Sequence, residues 1–226
     1  MKITTVVFDL DDTLYPEITY VYQGLEQVAK KIRAVLGDGT SVSVLKEEMI
    51  YLLETEGRGH IFDRILANRK LTDRLSVGEL VEVYRSVRPS LILYSDAQSF
   101  LTACKEKGLK TGLITDGNAQ VQHAKISALG LEQMLDMILA TADLAEGIQK
   151  PDVRVFEYCL EKLGSRPEES VYIGDNPEKD FIGARKTGMN TIRICRTQGM
   201  CVTLQAKPGY EADRIINNLC EIEELL

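Results

Sequence analysis

The chain has 226 residues, of which 44% are hydrophobic and 27% are charged, with 17 glycines and 6 prolines. A chain of this length can bury roughly 70% of its unfolded surface, and its composition excludes fibrous and intrinsically disordered proteins. The formal net charge of -7 argues against a protein that binds a nucleic-acid polymer through its phosphate backbone.

The residue types also restrict location and metal chemistry. The apolar runs are strand-sized, far short of the roughly 20 residues that span a bilayer, and no apolar signal segment precedes the first run. We therefore expect a cytoplasmic protein that does not cross a membrane. The five cysteines show no C-x-x-C spacing and suit mostly buried free thiols in a reducing compartment. With His60 and His123 as the only histidines, a multi-histidine metal site is excluded.

Short apolar segments predict the strands. Residues 4–8 form a β-branched run that ends in acidic residues, which is typical of a strand buried on both faces of a parallel sheet. Similar or weaker runs follow at 110–114, 137–139, 170–173, 191–194 and 212–216. Helical patterns alternate with them at 95–107, 118–129, 152–163, 177–187 and 218–226. The alternation predicts an α/β fold with a doubly wound, Rossmann-like parallel sheet of five or six strands.

Residues 16–89 interrupt this alternation. They contain no strand-like run, and a proline lies at each of their two ends. Their apolar residues recur at helical spacing over 19–35, 41–56, 60–69 and 76–87. We therefore predict two domains: an α/β catalytic core of residues 1–15 and 90–226, and an inserted α-helical cap domain of residues 16–89.

Polar side chains collect at the ends of the predicted strands. The residues concerned are Asp9, Asp11, Thr115, Asp116 and Asp175, and Lys150 adds a basic side chain where an intervening helix opens. In a doubly wound sheet the carboxyl ends of the strands share one edge, so we expect these side chains to converge there. Crowded carboxylates persist with a cation, and an all-oxygen ligand set selects Mg²⁺. A lysine, a threonine hydroxyl and free backbone N–H groups suit a phosphate, so the sequence predicts a magnesium-dependent phosphoryl site.

Four stretches, in this order, resemble the haloacid dehalogenase superfamily, and within it the phosphatases with a helical, C1-type cap. They are Asp9-Leu10-Asp11-Asp12-Thr13-Leu14, Ile114-Thr115-Asp116-Gly117-Asn118, Lys150-Pro151-Asp152 with Phe156, and Gly174-Asp175 with Asp180. The resemblance covers the α/β part of the chain. The helical insert matches the family's cap by its position in the chain only.

This resemblance implies a two-step phosphoryl transfer. Asp9 would be the nucleophile that forms an aspartyl-phosphate, and Asp11 would act first as general acid and then as general base. Mg²⁺ would lie between the Asp9 carboxylate, the backbone carbonyl of Asp11 and Asp175.

The same resemblance implies the phosphate-binding groups. Thr115, the backbone amide of Asp116 and Lys150 would bind the transferring oxygens, and Asp180 would orient Lys150 or a metal-bound water. Asp116 departs from the family pattern, which often has asparagine there. Because the implied contact is made by the backbone, we expect phosphate binding to survive this added negative charge.

The predicted activity is hydrolysis of a small phosphorylated metabolite, such as a sugar phosphate or a nucleoside monophosphate. Phosphomutase and dehalogenase activities of the same family remain alternatives. A dehalogenase needs no metal and protonates no phosphate leaving group, so Asp11 and Asp175 favour phosphatase chemistry.

A phospho-receiver signalling domain is the alternative from a different class, although the order of acids and lysine along the chain argues against it. The oligomeric state, a homodimer included, stays open.

A group of basic residues in the insert has two interpretations. It consists of Arg58, Arg64, Arg69, Lys70 and Arg74, in an otherwise acidic chain. The group is either a solvated helix face or a cap surface that selects a second anionic group of the substrate.

Overall fold

Six parallel strands form one sheet in the computed structural model of the protein, which describes residues 2–225. They are β1 (Thr5–Phe8), β2 (Lys110–Thr115), β3 (Met137–Ala140), β4 (Ser170–Gly174), β5 (Asn190–Ile194) and β6 (Arg214–Ile216). Their order across the sheet is β3-β2-β1-β4-β5-β6. Successive strands are added outward from β1 in both directions, so the sheet is doubly wound and the predicted fold class is confirmed.

The helices of the described residues surround this sheet or form a separate bundle. They are α1 (Glu17–Leu36), α2 (Val42–Glu56), α3 (Ile61–Asn68), α4 (Val77–Arg85), α5 (Ser95–Glu106), α6 (Ala119–Ala128), α7 (Val153–Leu163) and α8 (Phe181–Thr187). None of them has both the length and the hydrophobicity that a membrane crossing requires. The chain divides into two compact units, one built from residues up to Glu17 and from Ser90 onward, the other from Ile18–Pro89.

Two predicted helices near the carboxyl terminus differ from the structure. The helix predicted over 177–187 begins only at Phe181, because the N–H groups of Lys179 and Asp180 both bond to the Asn176 carbonyl and close a turn first. The segment predicted as a helix over 218–226 is a 3-10 helix at Leu219–Leu225, and residue 226 lies outside the described residues.

Side-chain hydrogen bonds explain the tighter second helix. The Glu221 carboxylate accepts from the N–H groups of Asn217 and Asn218 at 2.7 and 2.8 Å, and the Asn218 side chain accepts from the N–H of Cys220. These local bonds favour the short i to i+3 geometry at the start of the segment.

The core of the sheet unit lies between the strands and the helices packed on them. Every residue of β1 and β4 is buried, as expected for central parallel strands. Phe156 and Cys159 of α7 belong to one buried cluster with Val7 and Tyr172 of the sheet. This packing fixes the start of α7, which directly follows the loop that carries Lys150.

The helical unit has a hydrophobic core of its own. Leu25, Ile32, Leu45 and Met49 are buried in it together with residues of α3 and α4. At the start of α4, the Ser76 hydroxyl accepts from the Glu79 N–H, and the Glu79 carboxylate accepts from the Ser76 N–H. This reciprocal capping box satisfies two backbone donors that the helix itself cannot pair.

Three of the clustered arginines are held by partners within the helical unit. Arg64 forms an ion pair with Glu56 at 2.7 Å, and Arg69 forms one with Glu48 at 2.5 Å. Arg74 donates to the backbone carbonyl of Val35. These contacts favour the interpretation of a solvated helix face for these three residues.

All five cysteines are free, as expected, but only some are buried. Burial raises the pKa of Cys104 and of Cys159 to about 12, whereas Cys220 is exposed and Cys195 and Cys201 are half-buried. The expectation of mostly buried thiols is therefore wrong for the last three, because they lie in or after the loop that follows β5, outside the packed core.

Candidate active site

The carboxyl edge of the sheet brings three aspartates together. Asp9 directly follows β1, and its N–H donates to the Ile173 carbonyl of the adjacent β4 at 2.8 Å. Asp175 directly follows β4, and Asp180 ends the next turn. One carboxylate oxygen from each of Asp9, Asp175 and Asp180 lies within 4.8 Å of the other two. Adjacent parallel strands thus place carboxylates that are distant in the chain side by side.

Lys150 lies beside these carboxylates in the protein interior. Its ammonium donates to Asp9 Oδ1 at 2.5 Å, to Asp180 Oδ1 at 2.7 Å and to the Tyr172 hydroxyl at 2.9 Å, and its side chain has no exposed surface. Burial lowers the pKa of Lys150, but the negative charges of Asp180 and Asp9 outweigh burial and raise that pKa well above its usual value. Lys150 therefore remains a charged ammonium.

The aspartates carry more negative charge than this lysine compensates. Burial raises the pKa of Asp9 to about 7, although Lys150 acts in the opposite direction. Burial and the charges of Asp9 and Asp180 raise the pKa of Asp175 to about 9. Within residues 2–225, Asp175 has the Cys201 thiol as a hydrogen-bond donor and no ion-pair partner within 4.0 Å. Buried oxygen ligands with an excess of negative charge fit a hard divalent cation.

Asp11 lies in a different set of contacts. Lys125 donates to both of its carboxylate oxygens, at 2.7 and 2.9 Å, and the Tyr15 hydroxyl donates to Oδ1 at 2.5 Å. Gln122 adds a longer bond to Oδ2 at 3.3 Å. Burial raises the pKa of Asp11, but these donors, Lys125 first, outweigh burial and lower it below its ordinary value. Asp9 and Asp11 thus have separate cationic partners.

Asp116 is compensated by its neighbours. Its Oδ1 accepts from the Thr141 hydroxyl at 2.8 Å and from the backbone N–H of Lys150 at 3.2 Å, and Lys179 lies 3.5 Å from Oδ2. The added negative charge is therefore paired within the site. Thr115, the last residue of β2, is buried beside it.

Sequence reasoning missed five residues of this site. They are Tyr15, Gln122, Lys125, Thr141 and Lys179. Lys179 lies within the fourth family-like stretch and Tyr15 directly follows the first, whereas amphipathic patterning assigns a glutamine and a lysine on a helix to the solvent side. Gln122 and Lys125 belong to α6, and Thr141 follows β3. Tyr15 and Lys179 lie in the loops after β1 and β4, and only the packing of these segments brings the five side chains to the site.

A family comparison agrees with this geometry. The family model described as haloacid dehalogenase-like hydrolase matches residues 6–194, which include β1 from its second residue, the whole of β2 to β5, and the loops that carry the site. The chain belongs to the haloacid dehalogenase-like hydrolases. The predicted family is thereby confirmed.

Known members of the haloacid dehalogenase-like hydrolases match nearly the whole chain. The glyceraldehyde 3-phosphate phosphatase of Methanopyrus kandleri is 30% identical, over 99% of this chain and 98% of that protein. The crystal structure of a HAD phosphatase from Thermococcus onnurineus superposes with a TM-score of 0.64 at 28% identity, covering 100% of this chain and 97% of that one. A dehalogenase crystal structure gives 0.61 at 26% identity, covering 99% and 97%. Phosphatases and dehalogenases share this fold, so the residues of the site must distinguish the two chemistries.

Proposed function

We propose that this hydrolase is a magnesium-dependent phosphatase that acts on a small phosphorylated metabolite through an aspartyl-phosphate on Asp9. The observation that carries the proposal is the buried group in which Lys150 contacts Asp9 and Asp180, with Asp175 beside them. The coarser prediction, a hydrolase of phosphate monoesters, is confirmed by the family match and by relatives named as phosphatases.

The donor set fits Mg²⁺. The carboxylates of Asp9 and Asp175, with the backbone carbonyl of Asp11, would hold the ion through oxygen atoms, the ligands that it takes in proteins. When bound, the ion neutralises negative charge on the phosphoryl oxygens and so lets an anionic nucleophile approach. The raised pKa values of Asp9 and Asp175 support this assignment, because burial makes these carboxylates costly to ionise without further positive charge beside them.

The chain's own residues supply the covalent and proton-transfer steps. A carboxylate oxygen of Asp9 attacks phosphorus while the bond from phosphorus to the leaving oxygen breaks, and Asp11 gives that oxygen the proton that it took from water in the preceding turnover. Asp11 then takes a proton from water as the water attacks the aspartyl-phosphate, which releases phosphate and restores Asp9. Thr115, the Asp116 amide and Lys150 bind the phosphoryl oxygens during both steps.

The surroundings of Asp11 favour phosphatase over dehalogenase chemistry. A halide leaves as a stable anion and needs no proton, whereas an alkoxide leaving group does. Three side chains, Tyr15, Gln122 and Lys125, hold Asp11 through hydrogen bonds, an arrangement that dehalogenation would not use. Membership of a hydrolase family also argues against the phospho-receiver alternative.

For the substrate we propose a small sugar phosphate. Two relatives that cover nearly the whole chain, from Methanopyrus kandleri and Methanocaldococcus jannaschii, are named glyceraldehyde 3-phosphate phosphatases. Nucleoside monophosphates are the competing substrate class and belong in the same assay.

Phosphate release by the full-length protein tests this proposal. With Mg²⁺, the protein should hydrolyse p-nitrophenyl phosphate and glyceraldehyde 3-phosphate, and it should release no halide from a 2-haloacid. Asp9→Asn should reduce kcat by at least about 10³-fold, because the nucleophile is lost. EDTA should abolish turnover, and added Mg²⁺ should restore it. Full activity of Asp9→Asn, or metal-independent halide release, would refute the proposal.

A further inference from the structure

We propose that Lys179 binds the phosphoryl group of the substrate, as a second lysine in addition to Lys150. The inference rests on the phosphatase function proposed above, and it gives a role to a residue that the family resemblance leaves without one. It is carried by a difference between the two lysines in the use of their hydrogen-bond donors and in their exposure to solvent.

Lys150 already uses all of its donors within the protein. An ammonium group has three N–H donors. Those of this lysine contact Asp9 at 2.5 Å, Asp180 at 2.7 Å and the Tyr172 hydroxyl at 2.9 Å, and its side chain has no exposed surface. Lys150 can bond to a phosphoryl oxygen only by giving up one of these partners. An incoming phosphoryl group therefore gains most from a different cation whose donors are available.

Lys179 differs from Lys150 in both respects. Among the described residues, its ammonium has one ion-pair partner within 4.0 Å, the Asp116 carboxylate at 3.5 Å, and it donates no hydrogen bond. The distance of 3.5 Å is longer than that of a strong hydrogen bond. The side chain is 33% exposed, so an anion can reach it from solvent. Its ammonium is thus both accessible and able to donate.

The charge of Lys179 acts on the two groups that a transferring phosphoryl group must contact. Burial raises the pKa of Asp9, whereas the charge of Lys150 and, to a smaller extent, that of Lys179 lower it. Asp116, the ion-pair partner of Lys179, belongs to the loop whose backbone amide is proposed to bind phosphate. Lys179 therefore lies within electrostatic reach of the proposed nucleophile and beside the proposed phosphate-binding loop.

The turn after β4 holds Lys179 in this place. The N–H groups of Lys179 and Asp180 donate to the Asn176 carbonyl at 3.3 and 3.0 Å, and Asp180 Oδ2 accepts from the Asn176 N–H at 2.8 Å. The other oxygen of Asp180 accepts from Lys150. One aspartate thus closes the turn that carries Lys179 and also bonds to Lys150, so the two lysines are fixed relative to each other.

The loose ion pair with Asp116 suits a lysine that changes partner when substrate binds. A phosphoryl group carries up to two negative charges, and the Asp116 carboxylate carries one. The ammonium can therefore exchange a contact at 3.5 Å for shorter, charge-assisted hydrogen bonds to phosphoryl oxygens. Before substrate binds, the Asp116 carboxylate keeps the lysine side chain beside the loop. This gives a reason for an aspartate at a position where the family pattern often has asparagine.

The experiment measures Ki for inorganic phosphate, together with KM and kcat for p-nitrophenyl phosphate, in the full-length protein with Mg²⁺. Lys179→Met should raise Ki and KM by at least about tenfold, because a charge-assisted contact with bound phosphate is lost. It should lower kcat by less than about fivefold, because the contact is present both before and during the reaction. Lys179→Arg, which keeps the charge, should recover most of the affinity.

An Asp116→Asn background separates a contact with phosphate from simple neutralisation of Asp116. If Lys179 bonds to phosphate, Lys179→Met should still raise Ki by at least about tenfold in this background. If the lysine only compensates the carboxylate, its loss should have little effect once the carboxylate is gone.

Lys207→Met is the matched control. Lys207 also forms an ion pair at 3.5 Å, with Glu178, the residue before Lys179, and its side chain is 70% exposed. Its replacement removes one positive charge from the partner of the same turn. Because an exposed charge is screened by salt, Ki and KM should change by less than about twofold.

A fourth measurement does not need turnover. Inorganic phosphate should raise the unfolding temperature of the wild type, and it should do so less in Lys179→Met, because a ligand that binds only the folded state stabilises it. A merely structural lysine would lower the unfolding temperature in the absence of phosphate and leave the phosphate-dependent shift unchanged.

Three results would overturn the role of Lys179: an unchanged Ki in Lys179→Met, a loss that disappears in the Asp116→Asn background, or an equal loss in Lys207→Met. In each case an active wild type and an inactive Asp9→Asn would leave the phosphatase proposal standing. An inactive wild type that phosphate still stabilises through Lys179 would reject the phosphatase function and support the binding role. If Lys179→Met does not fold, Lys179→Gln is judged by the same Ki.

Discussion

Two aspartates separated by one residue have pKa values shifted in opposite directions. Burial dominates at Asp9 and raises its pKa to about 7, because the nearby ammonium of Lys150 is shared with Asp180. At Asp11, the bonds from Lys125, Tyr15 and Gln122 outweigh burial and lower the pKa. At the scale of single residues, the balance between burial and the donors that reach each carboxylate decides its pKa.

The metal-free protein should lose stability as pH rises. The ordinary pKa of Asp9 and Asp175 is 3.8, and in the folded state these values are about 7 and about 9. Between those limits the folded state binds more protons than the unfolded state, so the free energy of unfolding falls with increasing pH. We expect a lower unfolding temperature at pH 9 than at pH 5 in EDTA, and a larger stabilisation by Mg²⁺ at the higher pH. An Asp175→Asn variant with the same pH slope as the wild type would contradict this.

Asp116→Asn should preserve activity. The asparagine side chain keeps an oxygen that can accept from Thr141 and from the Lys150 N–H, and it removes a negative charge beside the proposed phosphate site. We expect kcat to change by less than about threefold and inorganic phosphate to inhibit about twofold to tenfold more strongly. Asp116→Ala is the control, since it loses both acceptors and should reduce the unfolding temperature. Weaker phosphate inhibition in Asp116→Asn would count against the predicted position of the phosphate.

At the scale of elements, the approach of α8 positions the loop that carries Lys150. A Cβ atom at Gly183 of α8 would lie 2.3 Å from the Pro151 carbonyl oxygen and 2.5 Å from a ring carbon of Phe156. Glycine therefore permits contact between α8 and the beginning of α7. Because Lys150 directly precedes Pro151, this contact also determines where the ammonium lies.

Gly183→Ala should therefore be destabilising. We expect a loss of about 1–3 kcal/mol in the free energy of unfolding, together with reduced kcat, because a buried methyl group must displace the Lys150 loop. Gly78→Ala in α4 is the matched control. Its Cβ would meet only the Ser76 hydroxyl at 3.9 Å, so stability should be unchanged or rise by up to about 1 kcal/mol. Urea unfolding of both variants measures the difference, and equal effects would show that the contact does not matter.

At the scale of the whole molecule, two structural units have separate cores. The sheet unit brings Asp9, Thr115 and Asp175 to one edge because β1 lies between β2 and β4. The helical unit, Ile18–Pro89, buries its own apolar residues, including Leu45. We propose that the second unit is the cap domain of the enzyme, as its place in the chain predicts.

The helical unit should fold without the rest of the chain. A segment of residues 18–89 should give a helical circular dichroism spectrum and a cooperative urea transition, because its core is contained within it. Leu45→Ala, at a fully buried position, should lower its free energy of unfolding by about 2–5 kcal/mol. The neighbouring Val44 is 47% exposed, and Val44→Ala should change the free energy of unfolding of the segment by less than about 0.5 kcal/mol. A segment without a cooperative transition would contradict this independence.

The sequence by itself determined the fold class and the family, and the residues proposed to act directly on phosphate stay a prediction made from its motifs. The apolar composition of the strands follows from their burial on both faces of the sheet. The reactive groups at the strand ends lie a few residues apart along the chain, so a single sequence shows them. The same local reasoning misplaced the start of α8 and the form of the carboxyl-terminal segment, where turns around Asn176 and Glu221 outweigh helical patterning.

Only the tertiary structure decided which charges meet. Lys125 and Asp11 are far apart in the chain and belong to no shared motif, yet they lie within 2.9 Å because α6 packs beside the loop after β1. Electrostatic interactions depend on distance in space and on burial, and neither quantity can be read from the spacing of residues along a single sequence.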